Sequence, residues 1–219
     1  FKVVSDLRRL PGRGLRFFSP ELLQEVRYAQ QRRELALDLA EDLEWAPPRF
    51  ELSAALTDNP EDIGQRIRSA VKLSYAEQIR WGDADGRAPF NAWRSWIENL
   101  GVLVFQITRV SDQEASGFAI AEDLLPVIAV NRKKVPLTRR TFTLIHELAH
   151  IMLRISGVTD FEIDAARPPE DQRIEVFCNH VAAATLIPRD HLLSERVVVE
   201  RGELSTAWTD GELSNLSRA

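Results

Sequence analysis

The chain has 219 residues, which suits one domain of ordinary size with an appendage, or two small domains. Its hydrophobic content of 44%, with five tryptophans and ten phenylalanines, is enough for a real core and excludes a disordered regulator. The formal net charge of −5 argues against nucleic acid as the main partner of the whole chain. The single cysteine, Cys178, excludes an internal disulfide, so a reducing cytoplasm is the expected location. No apolar run is long enough to span a bilayer, and no membrane association is expected.

The N-terminal segment from Phe1 to Phe18 is basic and contains Pro11-Gly12-Arg13-Gly14, which predicts a linker. An arm that contacts phosphate groups is an alternative interpretation, although basic linkers are more common. Because the chain begins without a methionine and ends at Ala219 in what reads as an unfinished element, we expect a piece of a longer protein.

Ser19-Pro20-Glu21 predicts the start of a long helix, because it combines an N-cap, a proline at the first helical position and an acid in the first turn. The helix is expected to run to about Leu43 and to end before Pro47-Pro48. Its apolar positions recur at helical spacing and are interpreted as core. They are Leu22, Val26, Ala29, Ala36, Ala40 and Leu43.

Further helices are predicted before the first strand. A capping box, Ser74-x-x-Glu77, opens a short one, and Gly101 lies where a C-terminal cap belongs. A turn-rich loop at 81–86 separates the short helix from the next. The two longer helices are expected from Asn59-Pro60 to about Val71 and from Pro89 to Leu100.

Three short strand-like runs follow, at 102–106, 117–120 and 127–131. They predict a small, largely antiparallel sheet packed against helices, which is an α+β arrangement. Of the three, we predict Gly117 to Ile120 as a free edge that binds an extended peptide, because it is the shortest and its glycine allows close approach of another backbone. That this edge has no binding role is equally compatible with the sequence.

A His-Glu-x-x-His motif lies in an apolar run from Thr138 to Ile155, which predicts a mostly buried helix that stops at Ser156-Gly157. Residues four apart project from nearly the same helix face, so His146 and His150 can bind one metal ion. Glu147 is placed to hold and deprotonate a water at that metal. This arrangement is typical of zinc hydrolases.

A structural polar cluster without a metal is the alternative interpretation of the motif. Burying His, Glu and His on an apolar helix costs free energy unless these groups are paired or coordinate a metal, which favours the metal site. A zinc site needs a third protein ligand. The metzincin form of the motif is excluded, because Leu153 and Ser156 occupy the positions where it needs glycine and histidine.

A second helix is predicted between Pro169 and Pro188, and Glu175 is the acid that enters its apolar part. Glu175 shares a helix face with Ala182 and Leu186, whose side chains would let this helix pack close to the histidines. We therefore predict Glu175 as the third metal ligand. The rival acids lie in the polar segment between the two helices, where solvated charge is the default. They are Glu162, Asp164, Glu170 and Asp171.

Other polar residues near the two helices receive structural interpretations. His180 lies about 140° around the helix from Glu175 and is expected to face away from the metal. Cys178 is expected to be buried and inert rather than a redox sensor. Helix capping and solvation are favoured over oxyanion stabilisation for the arginines that flank the metal helix. These are Arg139, Arg140 and Arg154.

The two helical motifs are informative together. The first runs from Phe142 to His150, and the second is Glu175-x-x-Cys178-Asn179, which continues to Leu186-Ile187-Pro188. This pair closely resembles the ImmA/IrrE metallopeptidases, whose second motif reads Glu-x-x-Ala-Asn-x-Phe-Ala-Ala and closes on Leu-Met-Pro. Cys178 replaces the family's alanine and Val181 its phenylalanine, both apolar changes that leave the site intact. The resemblance is strong from about Asn91 to Pro188 and weaker back to Ser19.

The resemblance implies a zincin-like peptidase domain that holds one zinc ion per chain. Carried over residue by residue, it makes His146, His150 and Glu175 the metal ligands and Glu147 the general base. We accordingly expect a basic linker and long N-terminal helix over residues 1–57. The zincin-like domain would follow over residues 58–219, apparently truncated at its C-terminal end.

The resemblance also implies a cytoplasmic regulatory endopeptidase. Several members of the family cleave a helix-turn-helix repressor and so turn on mobile-element, prophage or DNA-damage genes, which makes such a repressor the expected protein substrate. Nucleic acid would be contacted only through an upstream domain outside this chain. The alternative is a metal-containing binding module, antitoxin-like or sensory, that holds a partner without proteolysis. Glu147 favours the enzyme, because a metal-binding scaffold does not need that acid.

Overall fold

The computed structural model describes residues 18–81, 87–159, 169–199 and 208–209. The predicted N-terminal linker, most of the loop at 81–86 and the C-terminal end lie outside these residues. Within them, no helix combines the length and the apolar character needed to cross a bilayer. The helices and strands, in chain order, are α1 (Pro20–Asp42), α2 (Pro60–Ala70), α3 (Tyr75–Ile79), α4 (Arg87–Asn99), β1 (Leu103–Ile107), β2 (Gly117–Ile120), β3 (Val127–Asn131), α5 (Leu137–Met152), β4 (Gly157–Thr159), α6 (Pro169–Leu186), α7 (Arg189–Ser194) and α8 (Arg196–Val199).

The strands form one mixed sheet in the order β1-β3-β2-β4. β1 runs parallel to β3, whereas β2 is antiparallel to both β3 and β4. The predicted α+β class, with a small, mostly antiparallel sheet and a helical N-terminal part, is confirmed. The predicted bounds of β2 and β3 are also confirmed, and β1 is displaced by one residue.

The prediction that β2 is a free edge is wrong. Phe118 of β2 pairs with Ala129 of β3 on one side and with Val158 of β4 on the other. The strand that covers β2 has only three residues and follows the end of α5, and the sequence does not predict it, because three residues are too few to show an alternating pattern. Within the described residues, the outer strands of the sheet are therefore β1 and β4.

The two faces of the sheet pack against different helices. Along β3, Val127 and Ala129 face α1, whereas Ile128 and Val130 face the larger core that contains α5. All five residues of β3 are buried, because a central strand covered on both faces has no solvent-facing side. The larger core also contains apolar residues of α2, α4 and α6, so the sheet and α5 lie at its centre.

α1 covers the sheet with only part of its predicted apolar stripe. Leu22, Val26 and Ala29 pack on the sheet, but Ala36 is half-buried and Leu43 is exposed. The N-terminal end of α1 is fixed by Ser19, whose Oγ accepts a hydrogen bond from the backbone N–H of Leu22. The same Oγ donates to the carboxylate of Glu114 in the loop before β2, which ties α1 to the sheet.

Two of the predicted helix ends depend on local chemistry that the structure shows. The capping box of α3 is formed by Ser74 and Glu77 as predicted. α4 is followed by Gly101, whose φ of +89° lies in the left-handed region that favours glycine. A Cβ at this position would come within 2.2 Å of the carbonyl oxygen of Pro48, so glycine is also required sterically.

α6 is held against α2 along its C-terminal half. A Cβ built on Gly64 of α2 would lie 2.9 Å from the backbone carbonyl carbon of Ala184, so only glycine permits this approach of the two helices. The buried Arg68, one turn further along α2, donates a hydrogen bond to the carbonyl oxygen of Thr185. Gln78 of α3 donates to the carbonyl of Leu186. These donors satisfy the last carbonyls of α6, and the cation of Arg68 is favourable at a helix C-terminus.

Gly64→Ala tests this close packing, because the packing predicts a loss of stability whereas helix propensity predicts a gain. Alanine in an exposed helix stabilises by about 1 kcal/mol over glycine. Here the added Cβ meets the backbone of α6, and we expect a net loss of about 1–2 kcal/mol in the free energy of unfolding, measured by urea denaturation. Ser69→Ala, an exposed change in the same helix, is the control and should be neutral or slightly stabilising. A stabilised Gly64→Ala variant would contradict the packing argument.

Candidate metal centre

α5 supplies the two histidines from a helix that is buried along most of its length. From Thr143 to Met152 every residue is buried. The helix ends earlier than the predicted stop at Ser156-Gly157, because Arg154 adopts a left-handed φ of +59°. The backbone N–H of Ile155 then bonds back to the carbonyl of His150, which closes the last turn. This early end leaves residues 157–159 free to form β4.

The side chains of His146, His150 and Glu175 converge between α5 and α6. The Nε2 atoms of the two histidines are 3.1 Å apart. The Glu175 carboxylate lies 3.4 Å from Nε2 of His146 and 3.5 Å from Nε2 of His150. One ligand atom from each residue therefore falls within 4.8 Å of the others, and all three residues are buried. Among the described residues, this is the cluster whose chemistry and spacing suit a metal ion.

The charges of the cluster favour a cation at its centre. Burial raises the pKa of Glu175, but hydrogen bonds from His146 and His150 outweigh burial and hold that pKa well below its usual range. Burial lowers the pKa of His146. For His150 burial acts in the same direction, but the groups around it, Cys178 and Glu175 among them, outweigh burial and raise its pKa. An ionised carboxylate thus faces two imidazole nitrogens, and either a proton or a metal cation can satisfy all three.

Asn179 orients the first histidine. Nδ1 of His146 donates a hydrogen bond to Oδ1 of Asn179, at 2.9 Å. This bond places a proton on Nδ1 and fixes the ring so that Nε2 faces Glu175 and His150. Asn179 lies one helical turn after Glu175 on α6, so one helix supplies both the carboxylate and the support for an imidazole on the other helix.

Glu147 projects beside β2. It is fully buried, and it does not belong to the group of three ligand atoms. A Cβ built on Gly117 would lie 3.1 Å from Oε1 of Glu147, 2.8 Å from Cγ2 of Thr143 and 2.7 Å from the carbonyl oxygen of Ala129. Glycine at this position therefore lets α5 approach β2 closely enough to place the Glu147 carboxylate against the strand.

The other candidate residues do not belong to the group of three ligand atoms. Glu170 is exposed, while Glu162 and Asp164 lie outside the described residues. Cys178 is buried beside His150, and burial raises the pKa of its thiol. His180 is exposed and faces a cavity of about 340 Å³ between α6 and the segment before α2.

Two of the flanking arginines have structural partners. Arg140 donates to the carbonyls of Val135 and Arg132, so it supports the loop that leads into α5. Arg154 lies 3.7 Å from Asp123. The expectation that these arginines serve capping and solvation rather than oxyanion stabilisation stays a prediction.

The sequence predicts the three converging residues but not the two that support them. Asn179 lies in the second helical motif, where the sequence alone assigns it no role. Its spacing of four from Glu175 is the signal that could have found it, because that spacing puts both side chains on one helix face. Gly117 is predicted as a place of close approach, but for a peptide substrate rather than for Glu147. No local pattern indicates which helix passes beneath it.

Residues 97–199 match the family model Peptidase_M78, described as the IrrE N-terminal-like domain. The matched segment begins near the end of α4 and contains the whole sheet together with α5 and α6, so it includes every residue of the cluster. A comparison of the chain with curated proteins finds no significant match.

Asn179→Leu tests the support of His146 without removing a ligand. Loss of the hydrogen bond to Nδ1 frees the imidazole to rotate and to change tautomer, so we expect the affinity for a divalent metal to fall about 10–100-fold. The affinity is measured by competition with a chelator of known strength. His180→Ala, one residue further along α6 and exposed, is the control and should bind metal like the wild type. Equal affinities for Asn179→Leu and the wild type would contradict the positioning role.

Proposed function

This chain carries a peptidase domain of the ImmA/IrrE metallopeptidase family over residues 97–199, and from that premise we propose that it is a cytoplasmic, zinc-dependent regulatory endopeptidase. The observation that carries the proposal is the buried convergence of His146, His150 and Glu175, with the Glu147 carboxylate on the same helix as the histidines. Two imidazoles and one carboxylate are a typical protein ligand set for catalytic zinc, which keeps a further position open.

The chemistry follows from the positions of four side chains. His146, His150 and Glu175 would hold one zinc ion, which when bound supplies Lewis acidity toward the scissile carbonyl and makes water more acidic. Glu147 would accept a proton from the attacking water and return it to the leaving amine. Gly117 and β2 fix where that carboxylate lies, and Asn179 keeps the proton of His146 on Nδ1, away from the ligand atoms.

The substrate is proposed to be a helix-turn-helix repressor or a similar cytoplasmic protein, cleaved in a stress, prophage or mobile-element response. The family resemblance supports this class of substrate. A peptidase acting on such a regulator must hold an extended segment of it, because a peptide bond within a regular helix is not accessible to a buried site.

β4 is the strand best placed to hold such a segment. In the described residues it pairs on one side with β2, and it ends the sheet on the side near the cluster. A Cβ on Gly157 would lie 3.9 Å from Cε1 and Nδ1 of His150, so the backbone of β4 passes directly beside a proposed metal ligand. A peptide added along β4 would therefore run close to the proposed metal site.

The proposal as a whole is tested by incubating the protein with repressors encoded near its gene. We expect one repressor to be cut at a single site, identified by sequencing the fragments, and we expect Glu147→Gln to leave it intact. Cleavage by the wild type that a chelator does not inhibit would contradict a metallopeptidase. A repressor that is bound and inactivated equally well by both forms would favour the metal-containing binding module.

Glu147→Gln and His150→Ala separate the proposed base from the proposed ligand. Glutamine removes a proton acceptor, so this variant should retain one zinc ion per chain while cleavage falls by a factor of at least about 10³. His150→Ala should lose the zinc and a large part of its thermal stability, since a metal bound in a buried site contributes to folding. Zinc content is measured by elemental analysis after dialysis. Equal zinc loss in both variants would contradict the role of Glu147.

Hydrogen exchange tests whether β4 is the docking edge. In the Glu147→Gln variant, a peptide that contains the cleavage site should remain bound and slow amide exchange in residues 157–159. The other outer strand, β1, is an internal control and should exchange at an unchanged rate. Protection of residues 103–107 without protection of β4 would place the substrate on the opposite edge of the sheet.

A further inference from the structure

α1 presents an apolar stripe to solvent on its C-terminal half. Leu35, Leu39 and Leu43 are 57%, 49% and 74% exposed. They are spaced by four residues, so they form one continuous line on the helix surface. Single exposed leucines are ordinary, but three in a line on one helix indicate a surface that binds another apolar surface.

A charged residue of each sign flanks this stripe. Arg32 precedes Leu35 by three residues, and Asp42 follows Leu39 by three residues, so each shares a helix face with its neighbouring leucine. The guanidinium of Arg32 lies over the ring of Phe105 in β1, with its central carbon 5.3 Å from the ring centroid. This contact restricts the side chain of Arg32 and so reduces the entropy lost when a partner binds.

We propose that the stripe binds a second copy of this chain, with the two α1 helices antiparallel. The two-fold axis would pass level with the residue midway between Leu35 and Leu39. Each Leu35 would then meet Leu39 of the partner subunit, and each Arg32 would meet Asp42 of the partner subunit. Because a two-fold interface uses the same patch on both chains, the ion pair occurs twice.

The arrangement of charge is the reason to choose a second copy over another occupant. Arg32 and Asp42 lie five residues on either side of the proposed axis, so the surface is complementary to itself in the antiparallel direction. A uniformly basic segment would place like charge against Arg32, and a uniformly acidic one would do so against Asp42. A parallel pair of α1 helices would set each of these charges against its own kind.

A charge-reversal cycle tests this interface in the full 219-residue chain. The wild type should be a dimer at micromolar concentration by sedimentation equilibrium. Arg32→Asp and Asp42→Arg should each raise the dimer dissociation constant about tenfold, because each puts like charges opposite one another twice. The variant with both changes should return to within about threefold of the wild type, because both pairs re-form in reversed order.

Two further variants test the apolar stripe itself. Leu39→Lys puts a charge at the centre of the interface, and it should abolish the dimer while leaving the circular dichroism spectrum and zinc content unchanged, since Leu39 is exposed. Glu34→Arg, which changes the charge as much as Asp42→Arg does but at an exposed α1 residue away from the stripe, should leave the dissociation constant unchanged. A wild type that is monomeric at hundreds of micromolar would overturn the proposal. A dimer that survives Leu39→Lys, or a double reversal that fails to restore it, would overturn it as well.

Discussion

The convergence of two imidazole nitrogens on one carboxylate, inside the protein, constrains the rest of the structure. Glu175 stays ionised there because hydrogen bonds from the histidines outweigh the cost of its burial. The three ligand atoms come from two helices, so any sliding or tilting of α6 relative to α5 would separate the carboxylate from the imidazoles. A site of this kind needs both helices to be fixed in position before a metal arrives.

The two helices are fixed by different means. α5 lies against the sheet in the larger core, and every residue from Thr143 to Met152 is buried, which fixes this part of the helix. α6 is held by α2, where Gly64 permits close backbone contact and Arg68 donates a hydrogen bond to a carbonyl of the last turn. Both contacts lie in the C-terminal half of α6, several turns from Glu175. Residues without any chemical role in hydrolysis thus determine where a proposed ligand lies.

Features that depend on local spacing are predictable from the sequence, and those that depend on distant pairing are not. The spacing of four between His146 and His150 fixes their common face wherever the helix packs. Glu175 is predictable because a lone acid in an apolar helix needs a partner, and the structure brings it to the histidines. Strand order carries no such local signal. The sequence therefore does not reveal β4, nor the fact that β2 is internal.

The C-terminal half of α1 shows that burial, like strand order, is only partly predictable from the sequence. A helical apolar repeat predicts that some surface will cover it, but it does not specify which one. Leu22 and Leu43 belong to the same predicted stripe, yet the first packs on the sheet and the second is exposed. The sheet is narrower than α1 is long, since four strands at about 4.8 Å spacing span less than the helix does. In the second half of α1, Ala40 is buried, but Leu35, Leu39 and Leu43 face solvent.

The internal position of β2 also bears on how the site works. A strand paired on both sides is held more firmly than an edge strand, and Gly117 within it determines how closely the Glu147 carboxylate can approach. If substrate added directly to β2, each binding event would disturb the strand that positions Glu147, the proposed base. With β4 interposed, the peptide would pair with an outer strand, and the base would keep its place against an inner one. Under the proposed function, the three-residue strand would thus separate substrate binding from the positioning of Glu147, the proposed base, which would be set once, on folding.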